Sequence, residues 1–93
     1  MSVRELAQGA SRPDEVRSGN DRIAERAEQL HFVSRVPMLC ECSDPDCSQI
    51  VLIDLDAYRQ LRADPRRYLT APEHTLEGAK LEAKYRGYWL LRR

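Results

Sequence analysis

The sequence predicts an α+β domain: a small antiparallel sheet with an N-terminal helix and a short middle helix, stabilised by zinc. Three observations lead to this class. An apolar stripe at helical spacing runs through residues 14–31. Apolar runs then flank a cysteine-rich turn at residues 40–47, a pattern typical of strand, turn and strand. Alternating residues over 80–91 indicate a second hairpin near the C-terminus.

The length of 93 residues is enough for one domain. Residues 1–13 show no sustained periodicity, and we expect them to be a mobile tail. Residues 14–93 are then a single small zinc-binding domain. Aromatic residues are few, with one Phe, one Trp and four Tyr, so a bound metal would add stability that a thin core lacks. Trp89 is expected in that core rather than on a contact surface.

The helix predicted over residues 14–31 has one apolar stripe and an opposite charged face. Asp14 is a candidate N-cap. Ser18, with Asp21 three residues later, offers an alternative and later start. The stripe consists of Val16, Asn20, Ile23, Ala27 and Leu30.

The strands are predicted from composition and from Pro37. A proline is tolerated at a strand start or at a sheet edge, which limits residues 32–39 to those positions. Residues 48–53 are apolar and largely β-branched, the strongest strand signal in the chain. Arg86-Gly87 is a candidate hairpin turn. That turn would place on one face Leu81, Ala83, Tyr85, Tyr88 and Leu90.

The middle helix is predicted over residues 55–63, with Asp54 as its N-cap and Asp64-Pro65 as its stop. The basic and aromatic residues 66–69 are expected to add one further helical turn. With four strands and at most three helical pieces, the count fits the α+β class.

The formal charge is balanced, but its distribution is uneven. Residues 32–56 carry one base and five acids, whereas residues 57–93 carry nine bases and four acids. Such charges usually solvate a small protein. The alternative is a basic face that contacts nucleic acid through Arg62, Arg66 and Arg67.

No apolar run reaches the roughly 18 residues that a membrane-spanning helix needs. The first residues also lack the apolar region of a signal peptide. We therefore expect a cytoplasmic protein without a membrane partner. In a reducing compartment, clustered cysteines indicate metal ligands rather than disulfides.

All three cysteines lie within eight residues, at C-x-C-x4-C spacing. Cys40, Cys42 and Cys47 would supply three of the four ligands that zinc prefers. His74, in a proline-containing loop, is the best candidate for the fourth. His31 is the alternative, although a packed or helix-capping role suits it better. A carboxylate, a water or a second chain could also supply the fourth ligand. The alternative to a metal site is that the three cysteines bind no ion.

Function is predicted only in outline. The four glycines are isolated, so no phosphate loop is indicated, and two histidines do not make a nucleophilic triad. We expect a non-enzymatic, zinc-stabilised interaction module of regulatory type. Its partner would be a protein or a nucleic-acid complex such as transcription machinery, and a small-molecule substrate is not expected. A thiol-based redox or metal sensor is the alternative, and a metal-dependent enzyme is the least favoured.

The chain contains a series of short motifs, which together span most of its length. They are Asn20-Asp21-Arg22-Ile23, Cys40-Glu41-Cys42, Asp44-Pro45-Asp46-Cys47, the apolar Ile50 to Ile53, Tyr58, Arg62, Pro65, Tyr68 and Pro72-Glu73-His74. In these motifs the chain resembles a family of small, uncharacterised actinobacterial proteins taken to bind zinc. The resemblance implies a metal site and no particular activity. The sequence departs from the pattern at Glu73, where that family tends to have glycine.

Overall fold

The computed structural model describes residues 12–93 and confirms the α+β class. The helices are α1 (Arg12–Gln29) and α2 (Leu55–Arg62). The strands are β1 (Val36–Leu39), β2 (Ile50–Ile53), β3 (Arg67–Thr70), β4 (Lys80–Tyr85) and β5 (Tyr88–Arg92). Within the described residues these strands form two antiparallel sheets, β1–β2 and β3–β5–β4, rather than the single sheet predicted. Neither helix of this part of the chain is long and apolar enough to cross a membrane.

Helix α1 includes residues that the sequence assigns to a tail. Arg12 and Pro13 are helical, so Asp14 lies within the first turn, next to Glu15, and not at the N-cap. Two carboxylates in the first turn complement the positive end of the helix dipole. The rest of the predicted tail, residues 1–11, lies outside the described residues.

Helix α1 ends in a Schellman motif, earlier than predicted. The N–H of Phe32 donates to the C=O of Ala27 at 2.8 Å, and the N–H of His31 donates to the C=O of Glu28 at 3.1 Å. These are the two hydrogen bonds that define the motif. His31 has a φ of 58°, the left-handed value that the motif requires after the last helical residue. Its side chain is exposed, so His31 ends the helix and does not lie on the packed side.

The β1–β2 hairpin carries the cysteine turn at its tip, as predicted. Its register runs from Val36 opposite Ile53 to Leu39 opposite Ile50. Alternate side chains therefore share a face. The buried face consists of Val36, Met38, Val51 and Ile53. The exposed face consists of Pro37, Leu39, Ile50 and Leu52.

Helix α2 follows the prediction closely. Asp54 is its N-cap, but its side chain makes no capping hydrogen bond. Instead, Oδ1 of Asp54 accepts a hydrogen bond from the N–H of Arg35 at 3.0 Å, which joins the start of α2 to the segment before β1. Ala63 is the C-cap. The buried side of α2 consists of Leu55, Tyr58 and Leu61.

The further helical turn predicted at residues 66–69 is wrong, because strand β3 lies there. Tyr68 pairs with Leu91 and Leu69 pairs with Leu90 of β5. Leu69 is fully buried. The strand forms because the C-terminal hairpin offers an edge with unpaired N–H and C=O groups. Since that hairpin is distant in sequence, residues 66–69 carry no local pattern that would predict the pairing.

The C-terminal hairpin forms as predicted, with Gly87 at a φ of 88° in its turn. A β-bulge between Leu81 and Ala83 shifts the register, so that Leu81 lies opposite Leu91. The predicted placement of Leu81 on the same face as Ala83 is therefore wrong. The expected core position of Trp89 is wrong: its side chain is only partly buried and belongs to neither hydrophobic core, and the ammonium group of Lys84 lies 4.8 Å from its ring centroid.

Candidate metal centre

The cysteine turn is organised by Asp44. Its Oδ1 accepts a hydrogen bond from the N–H of Asp46 at 2.9 Å, and its C=O accepts one from the N–H of Cys47 at 3.2 Å. Aspartate commonly stabilises turns through such a bond to the backbone two residues on. The turn brings Cys47 back towards Cys40 and Cys42.

His74 is positioned by a second tight turn, which begins at Ala71. The N–H of His74 donates to the C=O of Ala71 at 3.1 Å, with Pro72 and Glu73 between them. Glu73 has a φ of 68°. Proline at the second position and a positive φ at the third define a type II β-turn, which favours glycine at that third position. The strained residue thus comes directly before the candidate ligand.

Backbone and side-chain bonds hold the two turns together. The N–H of Ser43 donates to the C=O of Thr75 at 3.1 Å. The hydroxyl oxygen of Ser43 accepts a hydrogen bond from the N–H of Glu77 at 2.8 Å. The histidine loop is therefore attached to the cysteine turn independently of any metal.

The structure brings the four predicted ligands together. One ligand atom from each of Cys40, Cys42, Cys47 and His74 lies within 4.8 Å of all the others. Nδ1 of His74 is 3.5 Å from Sγ of Cys40 and 3.5 Å from Sγ of Cys47. All three cysteines are free thiols, so no disulfide competes for the sulfur atoms. This cluster could hold a metal ion.

The spacing of the cluster fits a tetrahedral ion. Zinc binds sulfur at about 2.3 Å and imidazole nitrogen at about 2.0–2.1 Å, so tetrahedral angles place the two ligand atoms about 3.5–3.6 Å apart. The observed distance of 3.5 Å from Nδ1 of His74 to the sulfur of Cys40 or Cys47 agrees with that value. His74 therefore lies at coordinating distance from a site shared with Cys40 and with Cys47.

The three thiols lie in different environments. Burial raises the pKa of Cys40 to about 12, although hydrogen bonds from the backbone of Ala71 and Cys42 oppose the rise. Burial also raises the pKa of Cys47, but donors at Gln49, Cys42 and Cys40 and the nearby positive charge of Arg12 outweigh it and lower the pKa. Sγ of Cys40 accepts the N–H of Ala71 at 3.2 Å, a bond that stabilises sulfur carrying negative charge.

Arg12 binds the cysteine turn from helix α1. Its guanidinium donates to the C=O of Cys40 at 3.3 Å, of Cys42 at 2.5 Å and of Cys47 at 2.8 Å. Nη1 also lies 4.0 Å from Sγ of Cys42. Three thiolates around a divalent ion leave a net negative charge, which this guanidinium would offset. Sequence reasoning missed Arg12 because it falls in an aperiodic segment.

The middle residue of the C-E-C motif is fully buried and fully hydrogen-bonded. Oε2 of Glu41 accepts bonds from Nδ2 of Asn20 at 2.8 Å and from Nη2 of Arg62 at 2.6 Å. Oε1 of Glu41 accepts the N–H of Leu69 at 2.9 Å. Burial raises the pKa of this carboxyl, and the charge of Arg62 with the other two donors opposes the rise. Each of these partners donates, as an ionised carboxylate requires.

Asn20 and Arg62 connect this carboxylate to both helices. Asn20 also accepts the N–H of Leu39 and donates to its C=O, both at 2.8 Å, which satisfies the outward backbone groups of that residue of β1. Nε of Arg62 donates to Oδ1 of Asp21 at 3.0 Å, and that carboxylate also accepts the hydroxyl of Tyr58 at 2.5 Å. Asn20, the polar member of the α1 stripe, therefore links α1 to β1 and to the buried carboxylate of Glu41.

These contacts change the interpretation of the basic residues. The side chain of Arg62 is only 13% exposed, and it is held by Glu41 and Asp21. Arg67 forms an ion pair with Glu82 at 2.8 Å. Two of the three arginines predicted as a nucleic-acid surface are thus engaged within the protein, and the third, Arg66, is exposed. Among the described residues, Arg66 is therefore the one member of this set that is exposed and forms no ion pair.

No protein-family model matches the chain, and neither a curated protein nor a solved structure matches it. The resemblance to the small actinobacterial proteins therefore stays a prediction.

We expect Arg62→Met to lower the free energy of unfolding by about 3–5 kcal/mol, because it leaves the buried Glu41 carboxylate without its cation. Urea denaturation followed by circular dichroism at a fixed zinc concentration measures this loss. Arg59→Met is the matched control, since Arg59 of the same helix pairs with Glu28 on the surface. That pair should contribute about 1 kcal/mol or less. Equal losses in the two variants would contradict the buried network.

We expect Glu73→Gly to raise the free energy of unfolding by about 1 kcal/mol, because glycine adopts the positive φ of this turn without steric cost. Glu77→Gly is the control. Glu77 is also exposed and lies in the next turn, where it precedes Gly78, which carries the positive φ of that turn. Thermal unfolding of zinc-loaded samples compares the two. A stability loss in Glu73→Gly as large as that in Glu77→Gly would refute the turn assignment.

Proposed function

We propose that Cys40, Cys42, Cys47 and His74 bind one zinc ion, and that this ion stabilises the domain rather than catalysing a reaction. The observation that carries the proposal is the approach of all four ligand atoms to within 4.8 Å of one another. Three thiolates and one imidazole form a common structural zinc set.

The arrangement favours a structural role. A catalytic zinc keeps one position for water or substrate, whereas four protein ligands complete a tetrahedral site. The ligands come from two separate turns, so the ion would close a loop of chain that contains β2, α2 and β3. Cross-linking distant segments by a metal converts binding free energy into folding free energy. A non-enzymatic role follows from this proposal.

We further propose that the domain acts as a regulatory interaction module with a protein partner, in the cytoplasm. Large apolar side chains that remain at least half exposed support a protein partner: Leu30, Phe32, Val33, Ile50 and Tyr85. The internal pairing of Arg62 and Arg67 weakens the case for nucleic acid. Three free thiols suit a reducing compartment. A transcription-associated complex is one setting for such a module.

Native mass spectrometry of the full chain should detect one zinc ion per protein. His74→Ala should weaken zinc binding by about 100-fold or more, since even residues that only support a ligand contribute about 10–100-fold. His31→Ala is the matched control, because His31 is exposed at the end of α1, and its zinc affinity should be unchanged.

Removal of the metal by a chelator should abolish cooperative unfolding in the circular dichroism signal. A metal-free chain that unfolds with an unchanged midpoint, or a His74→Ala variant with full affinity, would refute the structural zinc.

A redox sensor built on the same site is the second candidate. Cys47 is partly exposed, whereas Cys40 and Cys42 are each only 1% exposed. An oxidant would therefore reach the sulfur of Cys47 first. Conversion of that thiolate to a sulfenic acid removes one ligand, which would release the ion and loosen the domain.

If the site is a redox sensor, we expect dilute hydrogen peroxide to release its zinc and a thiol reductant to restore zinc binding. A chromophoric chelator measures the released zinc. Cys47→His is the matched variant, because it keeps a fourth ligand and removes the accessible sulfur; its zinc should be released more slowly. If both proteins keep their zinc until the peroxide is strong enough to oxidise methionine, the sensor hypothesis is wrong and the site is structural.

A further inference from the structure

An apolar groove lies between α1 and the start of β1, on the side of α1 away from α2. Its volume is 410 Å³. The apolar lining consists of Ile23, Ala27, Leu30, Phe32, Val36 and Pro37. Leu30 is 63% exposed and Phe32 is 51% exposed, so the groove is open to solvent. The hydrogen bonds of the Schellman motif fix the path of the chain where it leaves the helix beside the groove.

From Asp21 onward, the charged side chains of α1 are sorted between two sides of the helix. The acidic side chains Asp21, Glu25 and Glu28 line the cleft shared with α2. Two of them have cationic partners, Arg62 for Asp21 and Arg59 for Glu28. The charged residues that line the groove are Arg22 and Arg26, and both are bases.

Arg22 and Arg26 are four residues apart, and so they are neighbours on the helix surface. Like charges at this spacing destabilise a helix. Among residues 12–93 neither forms an ion pair with an acidic side chain. A ligand that supplies carboxylates here would remove the repulsion and pair both guanidinium groups.

We propose that this groove binds an acidic amphipathic helix of a partner protein. The proposal rests on the proposed interaction function and specifies its partner. Apolar side chains on one face of the partner helix would fill the groove, and adjacent Asp or Glu residues would bind Arg22 and Arg26. Recognition of a helix by an apolar groove uses anchors spaced three and four residues apart.

The backbone around the groove favours a helix over an added strand. Pro37 has no N–H to donate. The outward N–H and C=O of Leu39 are already bonded to the side chain of Asn20. An extended peptide would therefore find few free partners along β1 near the groove, whereas a helix satisfies its own backbone groups.

A second copy of this chain fits the groove less well. Two-fold association brings the same surface of both chains together. Arg22 and Arg26 of one copy would then face the same two cations of the other, without acids among the lining residues to separate them. The charge pattern requires a partner of opposite sign.

The test uses the zinc-loaded full chain and a phage library that displays random 16-residue peptides. Enriched peptides should carry net negative charge and have apolar residues at helical spacing. Synthetic, fluorescein-labelled versions of these peptides then give dissociation constants from fluorescence anisotropy. Native mass spectrometry of each sample records its zinc occupancy, so that failure of the zinc site is distinguishable from failure of the groove.

The variants separate the groove from the rest of the surface. The double variant Arg22→Glu/Arg26→Glu should weaken peptide binding by about tenfold or more. It should gain affinity for a peptide whose acidic residues are replaced by lysine. The control Arg66→Glu/Arg86→Glu makes the same charge change at two exposed residues outside the groove and should leave binding unchanged. Leu30→Ser should also weaken binding, whereas Leu81→Ser, at an exposed leucine of β4 outside the groove, should not.

Three results would overturn the proposal. The first is a zinc-loaded chain that enriches no peptides, or only basic or non-amphipathic ones. The second is binding that responds equally to the groove variants and to their controls. The third is a concentration-dependent dimer in sedimentation that Leu30→Ser disrupts, which would assign the groove to self-association. A chain without zinc that still binds acidic peptides would instead refute the zinc proposal and leave the groove standing.

Discussion

The buried carboxylate of Glu41 is the constraint on which the arrangement of this domain depends. A carboxylate taken out of water is costly unless donors surround it. The donors come from three elements: Asn20 of α1, Arg62 of α2 and the backbone of Leu69 in β3. Each element must therefore lie where its donor reaches the acid. Apolar contacts could tolerate some sliding of these elements, whereas this set of hydrogen bonds admits one relative placement.

The C-E-C motif places a polar network and the candidate metal ligands on opposite sides of one short segment. Successive side chains of an extended chain point in opposite directions. Backbone bonding alternates in the same way, since the N–H of Cys40 donates to Gln49 and the N–H of Glu41 donates to Leu69. The sulfur atoms of Cys40 and Cys42 thus share one side, and the carboxylate takes the other. A single residue between the two cysteines is what allows both sites to share this segment.

The sequence predicts the parts of the site that depend on residue type and local spacing. Cysteine clustering identifies three ligands, and His74 follows from the need for a fourth. The partners of Glu41 were not predictable in this way, because Asn20 and Arg62 are each 21 residues away from it. Strand β3 was missed for the same reason, since its pairing with β5 is a tertiary contact. Arg12 was missed because an isolated cation in an aperiodic segment carries no signal until the turn it binds is known.

Helix α1 connects the candidate metal centre to the groove, and this connection follows from where its contacts lie. Arg12 and Asn20 attach the first half of the helix to the cysteine turn and to Leu39. Ile23, Ala27 and Leu30, in the second half and at its end, form one wall of the groove, and Val36 and Pro37 form the other. Core packing holds both walls as well, since Ala27 and Val36 belong to the main hydrophobic core and Ile23 packs against it. Polar bonds to the cysteine turn in the first half of α1 and apolar packing in the second half therefore fix the position of the helix together.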